Sequence, residues 1–290
     1  AWVLRETGRD PAFIVGGIVP QLGGNAGAGQ GWLVCEGDES DRSLESLAPQ
    51  VAVVLNVDLD HHTEFASLAE VEALFAGWLA RAPYAIRGWE LEPVGFPLAI
   101  PGEHNRRNAA AALAALELAG VPRAEAAPVL ARFTGAGRRF ERKGEAAGVA
   151  VIDDYGHHPT EVAATIAAAR DAGFARVLVL FQPHLYSRTQ HLAHEFGVAL
   201  AGADAVAVAC IYKAREQPIP GVTARLVVDA ASAARPGLAL AYTPDAADGA
   251  RWLASRARPG DALLTVGAGD VDAAGAVALE ELRRREGGRA

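Results

Sequence analysis

Two carboxylates and two imidazoles stand close together in the run IDDYGHHPTE. The apolar segment VAVIDD predicts a buried strand before them, and Pro159 predicts the first turn of a helix after them. A helix N-terminus presents N–H groups to an anion, while carboxylates and imidazoles move protons or hold a metal. Histidine pairs also occur in structural settings, but polar groups this dense between two strong elements favour a functional site. Its candidate members are Asp153, Asp154, His157 and His158.

A second strand end carries residues of the same kind. The apolar run VLVLF is followed by QPHLYSRT, which brings His184, Tyr186 and Arg188 to the start of a helix. A guanidinium at this place can grip a carboxylate or a phosphate with two N–H groups. The motif FTGAGRRFE adds Arg138 and Arg139. The later GAGD is weak evidence by itself, because glycine-rich turns end many strands.

An acidic cluster follows the apolar run WLVC in the first half of the chain. Glu36 lies in EGDESD, and the next apolar run, VAVVLNV, leads into DLDHH with Asp60 and His61. We expect the two strands to be neighbours, so that their ends converge on a cation site of the kind that Mg²⁺ prefers. The alternatives are a solvated acidic turn beside an exposed loop, or a zinc site that takes a third ligand from elsewhere.

The segment PGEHNRRN opens a helix that is rich in alanine and leucine. It carries His104, Asn105 and Asn108, and the two asparagines are three positions apart, hence on one helix face. A side-chain amide can both donate to and accept from an adenine edge. Simple capping of the helix by asparagine is the competing explanation.

The order of elements predicts an α/β fold. Apolar segments alternate with glycine-rich or polar turns between residues 13 and 57, and helices are predicted over 68–80 and 105–120. From residue 148 onward strands alternate with helices, with ARLVVD interpreted as a strand followed by a short helix. This pattern predicts a doubly wound parallel sheet, whose ligands bind beyond the carboxyl ends of its strands. We expect a first domain over residues 1–135 and a second over 136–290.

The overall composition narrows the class of protein. The chain has 290 residues, a formal net charge of −8 and no dense run of lysine or arginine, which argues against a nucleic-acid or acidic-membrane surface. It shows neither a long uninterrupted apolar stretch nor a signal-like start, so the cytoplasm is the expected compartment. Cys35 and Cys210 lie within apolar runs and are expected to be buried thiols.

The motifs resemble those of the Mur ligases over nearly the whole chain. In order they are EGDESD, NVDLDHH, PGEHNRRN, FTGAGRRFE, IDDYGHHPTE, QPHLYSRT, IYKAREQPIPG and GAGD. IDDYGHHPTE and QPHLYSRT are the most diagnostic, and they favour the member of the family that joins L-alanine to UDP-N-acetylmuramate. The resemblance implies an incomplete P-loop-type central ATPase domain followed by a Rossmann-like C-terminal domain. It also implies an ATP- and Mg²⁺-dependent ligase of peptidoglycan synthesis that forms an acyl phosphate.

The resemblance also implies a role for each candidate residue. The residues implied to hold Mg²⁺ are Glu36 and His61. Those implied to contact the nucleotide are His104, Asn105, Asn108, Arg138 and Asp154. Those implied at the substrate and catalytic end are Tyr155, His157, His158, His184 and Arg188, together with Asp154.

The sequence departs from the family pattern in several places. It contains no G-x-x-x-x-G-K-[ST], so the phosphate loop and a UDP-binding domain are expected to precede Ala1 in the parent protein. The stretch from His62 to His104 is shorter than the family norm, and Leu185 stands where many relatives have arginine. We therefore predict that this chain alone binds ATP poorly and does not ligate.

Two other functions stay open on the residues alone. The first is a non-catalytic, nucleotide-binding Mur ligase homologue, which the absence of the phosphate loop suggests. The second is a two-histidine metal hydrolase built on DHH and DDYGHHP, which leaves the asparagines at the helix start without a role. The sequence predicts no oligomeric state.

Overall fold

The computed structural model describes residues 1–62 and 64–287 of the chain, which divides into two compact units. Unit 1 comprises Ala1–Gly137 and unit 2 comprises Arg138–Ala290. The domain boundary expected after residue 135 lies just before this break. Within the described ranges, no helix is long and apolar enough to cross a membrane.

Unit 1 combines short strands with helices of very different length. Its helices are α1 (Trp2–Glu6), α2 (Leu68–Leu79), α3 (Glu103–Leu118) and α4 (Arg123–Leu130). Its strands are β1 (Ala12–Val19), β2 (Gly24–Gly27), β3 (Leu33–Cys35), β4 (Val51–Val54) and β5 (Tyr84–Arg87). The helices predicted over residues 68–80 and 105–120 are confirmed by α2 and α3.

The strands of unit 1 form two separate sheets. β1 pairs with β2 in antiparallel and with β3 in parallel orientation, whereas β4 pairs in parallel with β5. The expectation that β3 and β4 are neighbouring strands is therefore wrong. β4 instead pairs with the strand that follows α2, as a strand–helix–strand crossover normally produces.

The core of unit 1 gathers around α3. Leu113 of α3 and Val121 just after the helix are fully buried, and Trp2 and Val94 pack into the same cluster. α3 begins after Gly102, whose φ of 100° is a conformation that glycine adopts more easily than other residues. This turn sets the direction in which the polar first turn of α3 leaves the loop before it.

Unit 2 is a regular alternation of strands and helices. Its strands are β6 (Glu141–Ala146), β7 (Val149–Asp154), β8 (Val177–Phe181), β9 (Ala205–Ala209), β10 (Ala239–Thr243) and β11 (Ala262–Val266). Its helices are α5 (Pro159–Asp171), α6 (Tyr186–Leu200), α7 (Arg225–Ala234), α8 (Ala246–Arg256) and α9 (Ala274–Gly287).

One six-stranded sheet in the order β10-β9-β8-β11-β7-β6 forms the centre of unit 2. All its pairings are parallel except the one between the edge strand β6 and β7. Successive residues such as Ala150 and Val151 belong to different apolar clusters, because their side chains alternate between the two faces. α5, α6 and α7 cover one face, and α8 and α9 cover the other. The predicted doubly wound α/β sheet is confirmed.

Two local expectations are wrong, and one strand was not predicted. ARLVVD forms the start of α7, because its apolar residues pack at helical spacing against the sheet, with Val227 fully buried. β6 was not predicted, and its charged run ERKGEA is typical of a protected edge strand. Cys35 and Cys210 are both exposed, since one ends a strand with a solvent-facing side and the other follows the end of β9.

Candidate active site

The first turn of α5 is closed by side chains of its own. The Glu161 carboxylate accepts hydrogen bonds from the N–H groups of His157 at 2.8 Å and His158 at 3.1 Å. His158 Nδ1 accepts from Thr160 N, which completes a capping box between His158 and Glu161. Burial would raise the pKa of Glu161, but the charge of His157 and the N–H donors outweigh it and lower the pKa. The N–H groups of His157, His158 and Thr160 are thus already paired with side chains, and anion binding at this helix start stays a prediction.

Asp154, at the end of β7, holds the backbone on both sides of it. Its Oδ2 accepts from Phe140 N at 2.8 Å and its Oδ1 from Gly156 N at 2.9 Å. Burial raises the pKa of Asp154 above its ordinary value, although these N–H donors act in the opposite direction. One carboxylate oxygen thus fixes the loop that carries Tyr155 and the other fixes the segment before β6, and a nucleotide contact by Asp154 stays a prediction.

Arg138 clamps β7 to the loop after β11. Its Nε donates to Asp153 Oδ2 at 2.8 Å, its Nη1 to Gly269 O at 3.0 Å and its Nη2 to Gly267 O at 2.7 Å. Asp153 is fully buried and also accepts from Thr265 Oγ1 at 2.6 Å. The guanidinium that the resemblance implied for a nucleotide is thus engaged by three acceptors of unit 2.

Arg139 is the more accessible of the two arginines. Its side chain is 52% exposed, against 24% for Arg138. Its guanidinium carbon lies 5.5 Å from the centroid of the Tyr155 ring, and its Nη1 lies 3.3 Å from Glu161 Oε1. Tyr155 in turn makes an edge contact with the His157 ring, with centroids 5.4 Å apart. These residues give the end of β7 a cationic and aromatic surface.

This surface continues onto the residues that follow β8. The His157 ring centroid lies 6.1 Å from that of His184, which stacks on Tyr212 at 5.8 Å and an interplanar angle of 14°. His184 Nδ1 lies 3.0 Å from Nη1 of Arg188, whose side chain is almost fully buried. Unit 2 therefore brings Tyr155, His157, His184 and Arg188 together, and their role at the substrate end stays a prediction.

The predicted adenine-reading residues of unit 1 lie on the first turns of α3. Asn105 Nδ2 donates to Pro101 O at 2.6 Å, so Asn105 fastens the preceding segment instead of capping the helix as an acceptor. His104 and Asn108 are exposed. Asn105 and Asn108 lie one helical turn apart, which leaves their role at an adenine edge a prediction.

The predicted metal ligands of unit 1 lie on loops. Glu36 follows β3, and its carboxylate accepts a hydrogen bond from Gly16 N. His61 Nε2 lies 3.7 Å from Glu39 Oε1 and 3.8 Å from Asp60 Oδ2. Residues 1–62 and 64–287 contain no group of three or more potential ligand side chains placed around one metal position. A shared Mg²⁺ site of Glu36 and His61 stays a prediction.

Three residues of this region were absent from the predicted site. Glu161 was detectable, because a glutamate as the third residue of a helix is typical of a capping box. Arg139 was noted beside Arg138, but the sequence does not reveal which of the two points inward. Tyr212 had no local signal, since it reaches His184 only through the adjacency of β8 and β9.

Comparison with known families gives a match for most of unit 2. Residues 138–269 match the family model described as "Mur ligase, glutamate ligase domain". This span contains Arg138 and its three acceptors, the capping box at the start of α5, and His184 with its stacking partner Tyr212.

Full-length comparisons extend the similarity to both units. The chain is 43% identical to UDP-N-acetylmuramate–L-alanine ligase of Streptomyces coelicolor over 333 residues, which cover 97% of this chain and 72% of that protein. The matched span exceeds the 290 residues of this chain, so the relative carries additional residues within it.

Two solved structures share the fold. UDP-N-acetylmuramate–alanine ligase of Thermotoga maritima superposes with a TM-score of 0.76 at 23% identity, over 99% of this chain and 71% of that one. The MurF ligase of the same organism, in complex with ADP, gives a TM-score of 0.68 at 18% identity, over 100% and 77% of the two chains.

Proposed function

The chain belongs to the UDP-N-acetylmuramate–L-alanine ligases, and we propose that unit 1 serves the adenine and the metal, whereas unit 2 serves the substrate end and the nucleotide phosphates of that reaction. It is a ligase of peptidoglycan synthesis that joins L-alanine to UDP-N-acetylmuramate. The observation that carries this function is the similarity to the Streptomyces coelicolor ligase along almost the whole chain.

The proposed reaction proceeds in two steps. The muramic acid carboxylate attacks the γ-phosphorus of ATP, which forms an acyl phosphate and releases ADP. The amine of L-alanine then attacks the acyl carbon, and phosphate leaves as the amide forms and the amine loses its proton. Side chains contribute by positioning the reactants and by neutralising charge that develops on oxygen.

In unit 1 we assign the adenine to the exposed face of α3. The support is that Asn105 and Asn108 share one helix face, with His104 beside them. Glu36 would hold Mg²⁺ with His61, and the fit is chemical: Glu36 exposes a carboxylate, and Asp60 adds another beside the imidazole. Bound Mg²⁺ would neutralise phosphate charge.

In unit 2 we assign the acyl phosphate and the substrate to the surface formed by Tyr155, His157, His158 and His184, with the buried Arg188 behind His184. Aromatic and imidazole groups here lie within ring-contact distance of one another, which lets them surround one small anionic group. For the nucleotide phosphates, Arg139 is better placed than Arg138. Its guanidinium is half exposed, whereas that of Arg138 donates to Asp153, Gly267 and Gly269.

The test is L-alanine-dependent phosphate release with UDP-N-acetylmuramate, ATP and Mg²⁺. It uses a chimera that joins this chain to the residues of the Streptomyces coelicolor ligase outside the matched span, because the chain contains no phosphate-loop motif. We expect release to require L-alanine and to fall about a hundredfold in kcat for His157→Ala, the ordinary size of a lost proton-transfer or polar contact.

Arg139→Ala is expected to raise the KM for ATP about tenfold or more, the value of a charge-assisted hydrogen bond. Its matched control is Arg251→Ala on α8, because the Arg251 side chain is equally exposed at 54% and pairs only locally with Asp248. Phosphate release that ignores L-alanine would overturn the proposed function. A chimera that binds ATP but forms no amide would favour the non-catalytic homologue instead.

A further inference from the structure

The segment after β9 is fastened to the start of α6. Tyr212 N donates to Pro183 O at 2.8 Å, and Leu185 N donates to Tyr212 O at 2.9 Å. The two stretches thus form a short parallel bridge, over which the rings of His184 and Tyr212 stack. The segment that begins at Tyr212 therefore moves together with His184.

α6 has no cap of its own at this end. Leu185 stands at the N-cap position with φ 69° and makes no side-chain cap. Glu216, four residues beyond Tyr212, supplies the missing acceptor: Oε2 accepts from Ser187 N at 3.0 Å and Oε1 accepts from Ser187 Oγ. Burial would raise the pKa of Glu216, but the hydrogen bonds from Ser187 and Tyr186 and the charge of Arg188 lower it. The carboxylate is therefore held ionised at the helix start.

The same helix turn fixes the chemistry of His184. Arg188 Nη1 lies 3.0 Å from His184 Nδ1, and Arg188 is 4% exposed. A guanidinium only donates, so Nδ1 of His184 accepts and the ring proton lies on Nε2. The N–H donor of the His184 ring is thereby placed on Nε2.

We propose that Glu216 is a positioning residue, which holds the first turn of α6 so that Arg188 keeps His184 in the Nε2–H form facing the substrate. The contact between His184 and substrate rests on the proposed function, whereas the proton position on His184 is a property of unit 2 alone. Glu216 performs this role without contacting a reactant.

The first experiment reads the proton position in the 290-residue chain labelled with ¹⁵N-histidine. Two-bond ¹H–¹⁵N correlation spectra distinguish the two neutral forms of imidazole, and His184→Gln assigns the His184 signal among the eight histidines. We expect the Nε2–H pattern in the wild type and an averaged pattern with Nδ1–H in Glu216→Ala. The matched control is Glu195→Ala, which changes an exposed glutamate of α6 and should keep the wild-type pattern.

A second variant guards against loss of folding. Glu216→Gln keeps an oxygen that can accept from Ser187 N but removes the charge beside Arg188, so a smaller shift in the same direction is expected. Wild-type His184 patterns in both Glu216 variants would overturn the proposal.

The second experiment measures amide formation in the chimera. Glu216→Ala should lower kcat/KM for UDP-N-acetylmuramate about tenfold to a hundredfold, as a small displacement of an oriented group does, and leave the KM for ATP unchanged. An equal loss for ATP, or no loss at all, would overturn the positioning role in catalysis. A changed His184 pattern together with an inactive wild-type chimera would sink the proposed function and leave the Glu216–Arg188–His184 arrangement standing.

Discussion

Unit 2 and unit 1 hold their polar side chains in different ways. In unit 2 a single six-stranded sheet is covered on both faces, and the polar groups at its strand ends, such as Asp153 and Arg188, are almost fully buried with several partners. In unit 1 the strands form two small sheets, and Ile14, Ile18 and Leu33 are 58%, 64% and 59% exposed.

The difference shows what a buried frame, here the covered six-stranded sheet of unit 2, contributes to a site. Asp153 is fixed by neighbours on two other chain segments, so the position of Arg138 follows from the sheet itself. Glu36 lies beyond a three-residue strand and holds only nearby backbone. Residues of the first kind are oriented before any ligand binds, whereas residues of the second kind are oriented by the ligand, which costs binding energy.

The largest expected effect tests the frame itself. Leu264→Ala, in the fully buried middle of β11, should lower the free energy of unfolding by about 3 kcal/mol, because it leaves a cavity in the apolar cluster between the sheet and the helices α5 and α6. Leu33→Ala, the same change on a 59% exposed side chain of unit 1, should cost no more than about 0.5 kcal/mol. Urea unfolding followed by hydrogen exchange in each unit measures both. Equal losses would remove the contrast between the units.

A smaller loss is expected when a polar member of the frame is changed. Asp153→Asn should cost about 2 to 3 kcal/mol, since an amide that still accepts from Thr265 turns its NH₂ toward the Arg138 Nε donor. Glu36→Gln in unit 1 is the matched control and should cost less than about 0.5 kcal/mol, because the side chain is exposed. Urea midpoints at constant m-value report both. A neutral Asp153→Asn would show that the clamp contributes no stability.

Most of unit 2 was predictable because its signals are local and repeated. β8 and β9 are unbroken apolar runs and β7 begins with one, and α5 and α8 begin at recognisable residues, Pro159 and Asp245. That the ends of β7 and β8 lie together follows from the rule that parallel strands end at one edge of the sheet. What escaped prediction depends on contacts between distant segments: Arg138 folds back on Gly267, and Tyr212 reaches His184 through sheet order.

Unit 1 was predictable in its helices but not in its strand pairing. The spacing of apolar residues predicts α2 and α3. β3 and β4 are too short for their sequence to indicate which strand each of them pairs with. The expected meeting of Glu36 and His61 depended on that pairing. It therefore could not be obtained from residue types alone, although each residue was individually a sound candidate.

Close packing between helices gives the third test, with opposite signs in the two units. A Cβ added at Gly197 of α6 would lie 2.5 Å from Ala230 C and 2.6 Å from Ala231 N of α7, so Gly197→Ala should cost about 2 kcal/mol. A Cβ at Gly77 of α2 meets nothing within 4 Å. Gly77→Ala should therefore stabilise by about 0.5 to 1 kcal/mol through a lower entropy of the unfolded chain. A stabilising Gly197→Ala would contradict the close approach of α6 and α7.

The smallest expected effect concerns charge at the helix starts. Because the pKa of Glu161 is lowered in the folded chain, its ionised form stabilises α5 above the ordinary pKa of a glutamate, and this contribution disappears as the pH falls through the lowered value. Glu161→Gln should thus cost about 1 kcal/mol at neutral pH, kept small by a 35% exposed side chain, and nothing once both forms are neutral. Glu103→Gln, in the first turn of α3, should cost only about 0.3 kcal/mol, because its partner Arg107 is as exposed as it is. Urea unfolding at a series of pH values between neutral and strongly acidic separates the two. If the loss of unfolding free energy caused by Glu161→Gln increased on acidification, the carboxylate would not be the acceptor that closes the first turn of α5.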